Sequence, residues 1–91
     1  MIVSVLMSHK VYDYLIEEYG SSNRVNEFGI KRAISVIFGV DNPSSIMVGE
    51  VIHEMVSGGM LIFKDEKDRM KDYEIVSSKK RKSLEMKMEL V

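Results

Sequence analysis

Residues 42–76 read NPSSIMVGEVIHEMVSGGMLIFKDEKDRMKDYEIV, and the change of period inside this stretch decides the architecture. Asn42 followed by Pro43 predicts a helix start, because an Asn side chain caps free backbone N–H groups and the missing N–H of proline costs nothing in a first turn. Val48, Val51, Ile52 and Met55 then recur at helical spacing, so residues 43–57 read as an amphipathic helix closed by Gly58 and Gly59. After the paired glycines the period becomes that of a strand. Residues 60–63 are continuously apolar, residues 64–71 are charged at every position but Met70, and Tyr73 and Ile75 alternate with polar neighbours. Two strands around a charged tip predict a β-hairpin over residues 60–76.

Upstream, Ile30, Ala33, Ile34, Ile37 and Phe38 follow the i, i+3, i+4, i+7, i+8 pattern of a helix that starts somewhere in residues 22–26 and stops at Gly39. Val11, Leu15 and Tyr19, flanked by Tyr12 and Ile16, mark an earlier helix, with Ser8 as its cap and Gly20 as its stop. Residues 1–7 fit either an extra strand or an extension of that helix. Downstream, residues 77–83 (SSKKRKS) read as a linker or the start of a tail. Leu84, Met88 and Val91 keep helical spacing in a piece too short to be stable without something to pack on. The expected organisation is a folded domain over residues 1–76 and a basic linker with a C-terminal amphipathic helix or tail over 77–91.

With 91 residues, 45% hydrophobic and 30% charged, the chain has room for one domain and a modest core. A domain of this size buries only about 60–65% of its unfolded surface, so a second subunit is a natural source of further burial. Thirteen Lys and Arg face 14 Asp and Glu for a net charge of −1, which excludes a polycation that coats nucleic acid indiscriminately. The signs are unevenly placed: residues 1–63 hold four basic and seven acidic side chains, and residues 64–91 hold nine and seven. The absence of Cys excludes a disulfide scaffold, a Cys-ligated zinc and thiol catalysis, and fits a cytoplasmic location. The apolar start is too short, and lacks the basic flank, for a signal peptide or membrane span.

The order helix, helix, turn, helix, ribbon resembles the winged helix-turn-helix family of DNA-binding transcriptional regulators. Gly39-Val40 resembles the family's turn, Val48, Ile52 and Met55 its buried positions in the third helix, and Gly59-Met60-Leu61 the exit into the first wing strand. The resemblance spans roughly residues 30–76. It departs from the family pattern at the turn, which is about three residues longer from Gly39 to Val48, and at Ser35, where Ala is usual. It implies an α+β winged helix fold, three helices followed by a two-stranded wing, with a short C-terminal helix. It further implies a sequence-specific regulator that puts helix 43–57 into the major groove and the 60–76 wing on the backbone. Small proteins of this kind often dimerise through a terminal helix, which makes Leu84, Met88 and Val91 the candidate dimerisation residues. Abundant Ile, Val, Lys and Glu without Cys suit a small regulator from a thermophilic archaeon or one of its viruses, acting then in the host cytoplasm.

Projecting the third helix at about 100° per residue puts Ile46, Glu50, His53 and Ser57 opposite the apolar stripe, with Met47 and Glu54 on one flank and Ser45 and Gly49 on the other. That face holds no Lys or Arg, and two carboxylates on it oppose the phosphate neutralisation that usually supplies much of the affinity for DNA. Cations must therefore come from its surroundings: Lys64, Lys67, Arg69 and Lys71 on the hairpin, Lys31 and Arg32 on the second helix, and the basic run at 79–82. Ser44 and Ser45 sit where helix N–H groups attract phosphate, and Glu50 is able to accept from a cytosine amino group. With Met47 and His53 these complete the expected DNA-binding set. The rival reading is a protein–protein interaction module without DNA binding, docking through the Ile46/Met47 side.

Other chemistry finds little footing. His53-Glu54 lacks the second His of a zinc-protease helix, since Ser57 stands in its place. Glu50 and His53 with only His9 besides make a poor metal set. Asp13, Glu17 and Glu18 read as a solvated helix face. No phosphate loop or nucleophile elbow is present. The expectation is therefore a non-enzymatic chain with no metal, cofactor, membrane or small-molecule substrate, whose partners are double-stranded DNA and a second copy of itself.

Overall fold

The computed structural model describes residues 5–77. Elements run α1 (Val5–Tyr19), β1 (Arg24–Asn26), α2 (Glu27–Phe38), α3 (Ser45–Ser57), β2 (Leu61–Lys67), β3 (Met70–Ile75). The result is a small α+β domain of three helices and a three-stranded antiparallel sheet in the order β1-β3-β2.

The apolar stripes converge as their spacing requires. Val11, Tyr12 and Leu15 of α1, Ile30, Ala33 and Ile34 of α2, and Val48, Val51, Ile52 and Met55 of α3 join Met60, Leu61, Tyr73 and Ile75 in one buried cluster. Each fully buried aliphatic side chain contributes about 2 kcal/mol from area removed from water. Gly20 and Gly39 end their helices as expected; at Gly39 the backbone turns left-handed (φ 68°) and its N–H returns to the Ser35 carbonyl. The Tyr12 hydroxyl donates to the Val76 carbonyl at 2.5 Å, tying α1 to the end of the hairpin across 64 residues of sequence.

Several boundaries differ from the sequence expectation. Helix α1 already runs at Val5, so Ser8 is no cap but a buried position inside the helix, and residues 5–7 take the helical of the two alternatives. Helix α3 starts at Ser45 and not at residue 43: Ser44, not Asn42, is the cap, its hydroxyl accepting from the Met47 N–H at 3.2 Å, while Pro43 lies buried before the helix. A third strand, β1, pairs with β3 from Arg24↔Glu74 to Asn26↔Asp72, where the start of the second helix was expected within residues 22–26; that helix begins only at Glu27, with Asn26 as its cap. The hairpin is also longer than its apolar segments. Most of the charged stretch at 64–71 is paired strand, and the turn is only Asp68 and Arg69, both left-handed (φ 53° and 64°). Val76, expected in the second strand, follows it. Residues 78–91, with Leu84, Met88 and Val91 and the expected C-terminal helix, lie outside the described residues. No helix among those described is long and apolar enough to cross a membrane.

Candidate nucleic-acid interface

Helix α3 packs on α1, α2 and β2, so it is buried over a wider arc than docking on α2 alone would require. Met47 is consequently turned inward, 6% exposed, and is corrected from a surface candidate to a core residue. The free face is turned toward the other flank: Ser45, Ile46, Gly49, His53, Val56 and Ser57 are exposed and Glu50 is half-buried. Ser44 is engaged as the helix cap.

Beside this face runs a groove of about 290 Å³. Its floor includes Val48, Gly49 and Ile52 of α3; Lys31 of α2, Ser45 at the start of α3 and Arg69 at the hairpin turn stand around it, together with Glu27 and Phe28. Three expected DNA contacts, Lys31, Ser45 and Arg69, are thus brought together from three elements. A second depression of about 430 Å³ shares Gly49 and Ile52 and extends along α3 to His53 and Val56, with Phe63, Lys71 and Tyr73 opposite.

The other candidates are placed apart. Arg32 lines neither of these depressions; it borders two others that share Phe28 with the groove. Lys64 lies 3.6 Å from Glu74, an ion pair across the hairpin. Lys67 closes β2 and pairs in register with Met70. Lys71 remains exposed, but its backbone N–H donates at 2.6 Å to Glu27 Oε1, so a carboxylate in the first turn of α2 holds the hairpin against the helix. Glu27 also acts on Tyr73: burial first, then the carboxylates of Glu27 and Glu66, push its phenol above the ordinary value. Arg24 braces the outer strand pair through Asp72 at 3.3 Å.

Sequence reasoning gave no place in the site to Glu27, Phe28, Val56 or Phe63, the last read only as part of a strand. Phe28 is 65% exposed and Phe63 50%, and only the tertiary arrangement shows them bordering the α3 face. The signal available in sequence was Gly49, a glycine in mid-helix. Among the described residues, no group of three or more His, Asp or Glu side chains is placed to hold a metal ion. Searches against protein-family models, curated proteins and solved structures found no match for this chain.

Proposed function

We propose that this chain is a sequence-specific double-stranded DNA-binding regulator of transcription, of winged helix type and acting as a homodimer, with the exposed face of α3 in the major groove and the β2–β3 hairpin against the backbone. The observation that carries the reading is the placement of Lys31, Ser45 and Arg69 around the groove beside that face. Two cations and the start of a helix, drawn from separate elements, outweigh the single carboxylate of Glu27 in that groove, which is itself engaged by the Lys71 N–H, and provide the charge complementarity to phosphate that α3 itself lacks. Three helices with an antiparallel hairpin directly after the third support the winged helix part of the reading. Arg69 contributes through its backbone as well. A residue with a Cβ in left-handed backbone costs about 1–2 kcal/mol, and a guanidinium kept at such a position is worth that cost where it meets an anion.

The test is retention of duplex DNA by the full chain over a salt series. Affinity is expected to fall steeply with salt. The double reversal Lys67→Glu and Arg69→Glu is expected to weaken binding to all sequences and to flatten the salt dependence by about one unit of slope for each phosphate no longer neutralised. Changes at Ser45 or Glu50 are expected to alter preference among sequences instead. If no duplex is retained at low salt, the reading fails.

One observation favours the rival, a protein-docking module. Ile46 is 76% exposed, and with Phe28 and Phe63 it borders the same face with large apolar side chains. On that reading association would be nearly insensitive to salt, and Ile46→Ser would weaken it more than any charge reversal.

A further inference from the structure

Two helical glycines contrast. A Cβ placed on Gly29 of α2 would lie 2.6 Å from Val25 Cγ2 and 2.8 Å from the Tyr19 hydroxyl, so close packing accounts for that glycine. A Cβ placed on Gly49 of α3 would meet nothing within 4 Å. Gly49 is exposed inside a 13-residue helix, where glycine is the poorest helix former after proline. Nothing among the described residues accounts for it, yet it lies where the two depressions beside α3 share a wall. A glycine that the fold does not need is expected where something outside the fold comes close.

The neighbours of Gly49 indicate what that is. Ile46 and Val56, at i−3 and i+7 on the same face, are 76% and 40% exposed. The polar side chains of α3 are Ser45, Ser57, His53, Glu50 and Glu54; it has no Lys, Arg, Asn or Gln, the types that bond in bidentate fashion to guanine or adenine. In the major groove the apolar group on a base edge is the thymine C5 methyl. We propose that Gly49 is a specificity-determining residue: the notch left by its missing side chain, one turn after Ile46 and at the head of the depression that runs on to Val56, admits thymine methyl groups, so the protein prefers A·T-rich duplex. The inference rests on the DNA-binding reading above, and Lys31 and Arg69 in the adjoining groove supply the charge that brings the duplex there.

The full chain is to be titrated with three duplexes of equal length: alternating A·T, the same duplex with every thymine replaced by deoxyuridine, and G·C. Binding to the thymine duplex is expected to exceed binding to its uracil counterpart by about fourfold for each methyl buried. Gly49→Ala is expected to raise the melting temperature by about 5 °C, since alanine is the better helix former and its Cβ clashes with nothing. The same variant is expected to weaken binding to the thymine duplex and to bring the thymine-to-uracil ratio toward one. Equal binding of the wild-type chain to the thymine and uracil duplexes, or a ratio unchanged in Gly49→Ala, overturns the notch while leaving DNA binding intact. Retention of none of the three duplexes overturns the DNA-binding reading itself.

Discussion

Tyr73 shows how one residue links the hairpin to the helices. It is 5% exposed, its ring meets Phe63 edge-on at 5.9 Å, and burial with the Glu27 and Glu66 carboxylates raises its phenol pKa. The folded chain then holds the Tyr73 proton at a pH where the unfolded chain has released it. The stabilising difference is complete below the unfolded value of about 10 and is lost as pH rises from there through the folded value. Denaturant melts at stepped alkaline pH are therefore expected to show a steeper loss of stability for the wild-type chain than for Tyr73→Phe. Glu27→Gln, which removes one of the two repelling charges, is expected to lie between them. Parallel curves for wild type and Tyr73→Phe would remove Tyr73 from the account. At this scale the sequence was legible where a residue's role is intrinsic, as with Gly39 at a helix end. It was not legible for Met47 or Ser8, because whether a helical side chain faces inward depends on how many neighbours cover the helix.

Among the elements, the helices announced themselves and the strands did so only in part. Three stripes with a period near 3.6 residues survive small errors in phase, so α2 and the core positions of α3 follow from spacing alone. Strand β1 has three residues and one buried side chain, Val25, too few for a period of two to be visible. The outer part of β2 is exposed at successive positions from Phe63 to Lys67, so backbone pairing rather than burial makes it a strand. The turn gave no cue either, since two left-handed residues in a two-residue hairpin call for Asn-Gly or Asp-Gly and here are Asp68-Arg69. That mismatch can be relieved by one substitution. Arg69→Gly removes about 1 kcal/mol of left-handed strain and is expected to raise the melting temperature by about 5 °C, while weakening DNA retention and flattening its salt dependence. A lower melting temperature by circular dichroism would mean that the arginine side chain itself stabilises the turn.

For the whole molecule, what could not be read along the chain was convergence. Lys31 and Arg69 are 38 positions apart in sequence and meet across one groove only because α2, α3 and the hairpin fold onto one core. A homodimer on DNA would place two copies of α3 roughly 34 Å apart, in successive major grooves. Truncation after Ser78 removes Leu84, Met88 and Val91 and is expected to convert the species seen by light scattering to monomer; an unchanged mass would place the interface within residues 1–78. The sheet itself argues against strand-to-strand assembly. β2 lies at its border, and there the register slips between Phe63 and Asp65, after which Asp65, Glu66 and Lys67 line the strand with charge. A broken hydrogen-bonding ladder and a row of ions at this edge, and only the three residues of β1 at the other, give an incoming strand little to zip against, so copies of this protein can crowd together without fusing into a continuous ribbon.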